Sequence, residues 1–145
     1  MYKHILIPTD GSPLSEAAIR QGVALAKAVR AKVTVLTVGL PFHTFALDPV
    51  MMADTPAQYE KDSQALAEKA LGVAKAEAAV AGVACETLYQ IHDHPYQVIV
   101  DTARTKGCDL IFMASHGRKG MGALVLGSET NKVLTHSKIP VLVCR

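Results

Sequence analysis

The stretch Asp109–Ser128, DLIFMASHGRKGMGALVLGS, sets the tightest limit on what this chain can fold into. It opens on Leu110-Ile111-Phe112-Met113, an unbroken apolar run of the kind that forms a strand covered on both faces. Small and flexible residues follow at once: Ala114, Ser115, His116 and Gly117. The cations Arg118 and Lys119 come next, then Gly120 and Gly122. At the far end stands Gly127-Ser128, where Ser128 is expected to N-cap a helix running through Glu129 to Leu134. A buried strand, a glycine loop with cations and a helix start together suit a bound phosphate. Free backbone N–H groups and the positive end of the helix dipole both favour an anion there.

Two familiar glycine loops do not fit these residues. A Walker A loop needs Lys-Ser/Thr after its second glycine, but Ala123-Leu124 follow Gly122. A dinucleotide fingerprint begins at Gly120-Met121-Gly122 and is broken by Val125. The stretch instead resembles the C-terminal signature of the universal stress protein family, Gly-x2-Gly-x9-Gly-Ser/Thr. On that pattern Ala114, Gly117, Gly127 and Ser128 fall in register, with Ala114 in place of the first glycine. The resemblance also covers the N-terminal ILIPTDGS and the closing PVLVCR, so it spans nearly the whole chain.

At 145 residues the chain is expected to form one domain, 1–145, with a real core. Half of its residues are hydrophobic, mostly Ala, Val and Leu, which suits helices packed on a parallel sheet and argues against disorder. A formal charge of +2 is too small to imply nucleic-acid binding. The apolar core of MYKHILIPTDGS is too short for a signal peptide, and no apolar run approaches membrane-spanning length. Cys85, Cys108 and Cys144 are odd in number, widely separated and set in apolar runs, which reads as reduced thiols in a cytoplasmic protein.

Along the chain, Lys3 to Pro8 reads as a first strand, turned by Thr9-Asp10-Gly11, with Ser12-Pro13 starting a helix. Leu14, Ala18, Gly22, Leu25 and Val29 form its apolar stripe, with Gly22 allowing close approach to a sheet. Lys32 to Val38 reads as the second strand, followed by a long loop, Gly39 to Pro56, carrying Pro49 and two Met residues. Gln58 to Ala81 is an amphipathic helix ended by Gly82, and Val83 to Ile91 an edge-like third strand. Pro95 to Lys106 is a helix stopped by Gly107; Asp109 to Met113 is the fourth strand and Pro140 to Cys144 the fifth.

This alternation predicts an α/β fold with a mainly parallel sheet and helices on both faces. The family resemblance implies the order 3-2-1-4-5 in an open three-layer α/β/α sandwich. Ligands in such sheets bind where the order reverses, which would be between the C-terminal ends of strands 1 and 4. Those ends carry Pro8-Thr9-Asp10 and Met113-Ala114-Ser115-His116-Gly117.

The resemblance further implies an adenine-nucleotide site, with ATP as the ligand and Mg or Mn as a companion ion. Asp10 would accept from a ribose hydroxyl or base edge, although Asp before Gly also caps turns. Val38 would offer its backbone to adenine. Gly117, Gly127 and Ser128 would form the phosphate cradle, with Arg118 either on the phosphate or in solvent. Glu129 in the helix's first turn would repel a phosphate unless it pointed aside or shared a metal. Ala114 matters if its backbone takes a positive φ or if the ligand packs on its Cα. His92-Asp93-His94 could hold a metal but reads better as a polar loop.

No triad or paired carboxylate is evident, so at most slow ATP hydrolysis is expected. The reading is a cytoplasmic homodimer that senses or regulates, paired through the apolar edge strand Val141–Val143. A nucleotide-free interaction protein and a slow ATPase are the alternatives.

Overall fold

The computed structural model of the protein describes residues 1–45, 55–117 and 125–145. Its elements run β1 (His4–Pro8), α1 (Pro13–Val29), β2 (Lys32–Gly39), α2 (Phe42–Phe45), α3 (Pro56–Ala81), β3 (Cys85–Ile91), α4 (Pro95–Lys106), β4 (Leu110–Ala114), α5 (Ser128–His136) and β5 (Val141–Cys144). The five strands are parallel in the order β3-β2-β1-β4-β5. The edge character expected of the third strand, with its polar Glu86, Thr87 and Gln90, matches the place of β3 at one margin.

Strand alternation sorts the core into two layers. Ile5, Ile7, Val33, Val35, Leu110 and Phe112 face α1 and α3, meeting Ala18, Ile19, Val23, Leu71 and Ala74. Leu6, Leu36, Ile111 and Met113 face α4 and α5, meeting Val98, Ile99, Ala103 and Val133. Central strands buried on both faces explain the unbroken apolar runs.

The helix ends follow their local chemistry. Ser12 caps α1 by accepting from Ser15 N–H at 3.3 Å, and Thr55 caps α3 by accepting from Gln58 N–H at 3.2 Å. Gly82 and Gly107 end α3 and α4 in the left-handed conformation that glycine adopts without a Cβ clash.

Four expectations shift. The buried stripe of α1 is Ser15, Ala18, Ile19, Gly22, Val23 and Ala26, so Leu14, Leu25 and Val29 flank it rather than fill it. The strand β3 begins at Cys85 rather than Val83, because Val83 N–H is committed to Ala78 O in closing α3. The loop after β2 contains α2; Pro49, Met51 and Met52 lie outside the described residues. At α5 the cap position falls to Gly127, with extended backbone (φ −59°, ψ 148°) and its C=O accepting from Asn131 N–H at 2.9 Å. Ser128 is therefore the first helical residue, and among the described residues no side chain caps this helix.

Candidate functional site

At the sheet's carboxyl end, β1 and β4 are adjacent strands at the point where the strand order reverses, where ligands of open α/β sheets bind. Thr9 continues from β1, donating its N–H to Leu36 O at 2.8 Å. Its buried hydroxyl lies 3.0 Å from Ser15 Oγ and accepts from Gly11 N–H at 3.2 Å. Ser15 Oγ donates in turn to Ser12 O at 2.9 Å, so the Thr9 hydroxyl is the donor to Ser15. Gly11 takes φ +78°, which lets the chain turn sharply into α1. Asp10 sits at the apex, with Oδ1 accepting from Ser12 N–H at 2.9 Å. Its Oδ2 packs directly on the Cα of Gly117, where an added Cβ would collide with it.

The other wall is the tail of β4. Ala114 is extended and buried, its methyl in the α1 layer, and its C=O accepts from Thr130 Oγ1 at 3.0 Å. The only non-glycine residue with positive φ among those described is Arg30, so Ala114 carries no left-handed strain. Ser115 donates its N–H to Cys144 O at 2.8 Å and accepts from Gly127 N–H at 2.7 Å. Its hydroxyl lies 3.2 Å from His116 Nδ1. A Cβ on Gly127 would stand 3.0 Å from His116 Cα and 3.1 Å from Ser115 O, so a side chain here would press these backbones apart.

The start of α5 is thus pinned against β4 by two bonds, from Gly127 N–H and Thr130 Oγ1. Between them lie Ser128 and Glu129, whose N–H groups belong to the orphan first turn of a helix and favour an anion. Glu129 points aside. Its Oε2 accepts from Tyr96 N–H at 2.9 Å and its Oε1 pairs with Lys132 Nζ at 3.2 Å.

Pro8 ends β1 and Val38 stands one residue before the end of β2, both half-buried; Met113 is buried in the α4–α5 layer, against which Val38 packs. Arg118 lies outside the described residues, as do Lys119, Gly120 and Gly122. A separate cavity of about 300 Å³ opens beside the ends of β2 and β3 against Leu40, Phe42, Tyr59 and Ile91, away from the glycine crevice.

Among the described residues no cluster of His, Cys, Asp and Glu could hold a metal. His92 Nδ1 accepts from His94 N–H at 2.9 Å, and Asp93 pairs with His43 at 3.1 Å, in the turn that leads into α4. Sequence reasoning passed over Ser15, Thr130 and Tyr96. The Ser12-x-x-Ser15 spacing at a helix start was the visible signal for the first; the other two depend on contacts between distant segments.

The universal stress protein family model matches residues 1–145. Universal stress protein YxiE of Bacillus subtilis is 34% identical over 149 residues, covering 100% of both chains. The solved structure of the hypothetical protein MJ0577 superposes with a TM-score of 0.80 at 29% identity, over 99% of this chain and 95% of that one. Two more distant solved members share the fold. A universal stress protein in complex with cAMP has a TM-score of 0.69 at 23% identity, over 99% of this chain and 97% of that one. The Archaeoglobus fulgidus protein in complex with dAMP has 0.65 at 19%, over 99% and 98%. With the family model running the whole length of a sheet ordered β3-β2-β1-β4-β5, the chain belongs to the universal stress protein family.

Proposed function

We propose that the protein binds adenine nucleotide, ATP in particular, in the crevice between the tips of β1 and β4. One observation carries this reading: Gly127 is pressed onto Ser115 and His116, at the contact distances a Cβ would fill, while Asp10 is pressed onto Gly117. Two glycine contacts that bring a helix start, a strand end and a carboxylate together make a cradle for a sugar phosphate. Asp10 would receive the ribose hydroxyl, Pro8, Val38 and Met113 would flank the base, and Ala114 to Arg118 with Gly127, Ser128 and Glu129 would surround the phosphates through their backbone. That relatives are described with cAMP and dAMP supports the choice of adenine.

The side-chain oxygens of Glu129 are committed to Tyr96 and Lys132, so a Mg or Mn ion would arrive on the phosphates and take its protein ligands from elsewhere. The extended, unstrained backbone of Ala114 removes one physical reason for reading this chain as nucleotide-free.

The protein, a single domain over 1–145, acts in this reading as a cytoplasmic sensor or regulator, with at most slow hydrolysis, and works as a homodimer through β5. Free thiols at Cys85, Cys108 and Cys144 suit a reducing compartment.

Mass spectrometry of natively purified protein, together with calorimetry, tests the reading. The unaltered protein should carry or bind ATP, and Gly127→Val should lose at least about tenfold in affinity, since it would force the helix start off β4. Equal ATP affinity in a folded Gly127→Val variant would move the site elsewhere.

A further inference from the structure

We infer that the Glu129 side chain is a positioning residue, the tether that holds the anion-binding turn of α5 in place; this rests on the nucleotide reading above. The helix α4 starts without a side-chain cap of its own: His94 contributes none, and Pro95 has no N–H to give. The first N–H of α4 in need of an acceptor is that of Tyr96, and Glu129 Oε2 takes it at 2.9 Å from 33 residues away. The other oxygen, Oε1, pairs with Lys132 Nζ at 3.2 Å, and that ammonium lies 5.5 Å from the centroid of the Tyr96 ring. Tyr96, Glu129 and Lys132 thus close a ring between the first turns of α4 and α5. His136, one turn further along α5, adds a ring contact to Tyr96 at 4.9 Å.

Two helix N-termini meet at this point, and each attracts negative charge. The carboxylate of Glu129 fills the need of α4 from within the chain. The start of α5 keeps its own N–H groups for an outside anion. Gly127 and Thr130 fix α5 to the tail of β4 on one side, and Glu129 fixes it to α4 on the other. With its charge turned toward Lys132 and the α4 dipole, Glu129 orients the cradle instead of repelling what enters it.

The test compares ATP with adenosine, which lacks the phosphates, and follows hydrogen exchange at the Tyr96 amide. In Glu129→Ala that amide should exchange faster, and ATP affinity should fall about tenfold, the loss expected from misplacing one charge-assisted contact. Adenosine affinity should hold. Glu129→Gln, which keeps an acceptor oxygen, should restore most of both the protection and the ATP affinity. A role limited to stability would weaken both ligands alike. Unchanged Tyr96 exchange in Glu129→Ala would overturn the tether. ATP binding that is unchanged or tighter in that variant would overturn the positioning role and show repulsion as the larger effect. If the unaltered protein bound adenosine and ATP equally, with no gain from phosphate, the cradle role would fall while adenine recognition stood. If it bound neither, the nucleotide reading itself would fall, and the cradle role with it.

Discussion

Asp10 Oδ2 and the Cα of Gly117 are in direct contact, although 107 positions separate them in the chain. The contact joins the turn after β1 to the turn after β4, and it leaves no room for a side chain at Gly117. The Gly117→Ala variant must push the Asp10 carboxylate away. Its Oδ1 would then lose Ser12 N–H, a turn contact at 2.9 Å. Nucleotide affinity is expected to fall about tenfold, with a stability cost of about 1 kcal/mol from the loosened turn. Calorimetry and a denaturant titration check both numbers. Unaltered affinity, with Asp10 in place in a crystal structure of the variant, would separate this contact from the binding site.

The approach of α1 to the sheet depends on Gly22. A Cβ there would lie 2.7 Å from Ile7 Cδ1 and 3.3 Å from Phe112 Cδ1. Alanine gains about 1 kcal/mol of helix propensity, which offsets much of the cost of displacing the tip of one isoleucine. Gly22→Ala should therefore stay within about 1 kcal/mol of the parent, whereas Gly22→Leu should lose about 1–3 kcal/mol by overpacking. Urea midpoints will show whether the two variants separate in this way.

These two contacts show what the sequence could and could not disclose. Gly22 stands within an apolar helical stripe, so its close packing was legible from spacing. Gly117 was legible as part of a loop, but its partner was not, because nothing in local periodicity couples Asp10 to a residue in the turn after another strand. The tether from Glu129 to Tyr96 was hidden for the same reason. Sequence reasoning saw that the carboxylate must either point aside or share a metal, and could not say toward what it would turn. The capping role moved from Ser128 to Gly127 by one residue, within the usual uncertainty of helix ends.

The buried imidazole of His4 makes stability depend on pH. Its Nε2 lies 2.7 Å from Thr34 Oγ1 on the neighbouring strand β2. Burial, reinforced by the positive charge of Lys32, holds its pKa below the ordinary 6.5, against weaker upward pulls from the Lys106 backbone, Glu86 and Asp109. With a folded pKa below the unfolded one, the unfolded chain binds more protons as pH falls through 6.5, and folding stability declines until the folded pKa is passed. The contribution is fully present above 6.5. The carboxylates of Glu86 and Asp109 titrate separately in more acid solution. The Lys106 hydrogen bond holds Glu86 below its usual value; for Asp109, burial pulls upward but the N–H groups of His4 and Lys3 outweigh it. Urea midpoints of the unaltered protein should drop as the pH falls below about 6.5, and His4→Gln should flatten that slope. Parallel slopes for both proteins would place the titration on another group.

The last prediction concerns the margin formed by β5, and strand parity decides how it must be tested. Pro140 O accepts from Ile111 N–H at 3.0 Å and Cys144 O accepts from Ser115 N–H at 2.8 Å, so the even-numbered residues direct their backbone inward to β4. The N–H of Leu142 therefore serves the protein's own sheet. Leu142→Pro would damage the β4–β5 ladder instead of an outer edge. The outward-facing groups belong to Val141 and Val143, and the 39% exposed side chain of Leu142 stands beside them. Among the described residues β5 is the margin of the sheet, and an apolar sheet edge is open to pairing with a second copy across a two-fold axis. In the homodimer proposed above, Val143→Pro removes an outward donor while leaving the inward ladder intact. Sedimentation at micromolar concentration should show a dimer for the unaltered protein and mostly monomer for Val143→Pro, each with the same circular dichroism. A monomeric unaltered protein would remove β5 as the interface, and so would a Val143→Pro variant that remained fully dimeric.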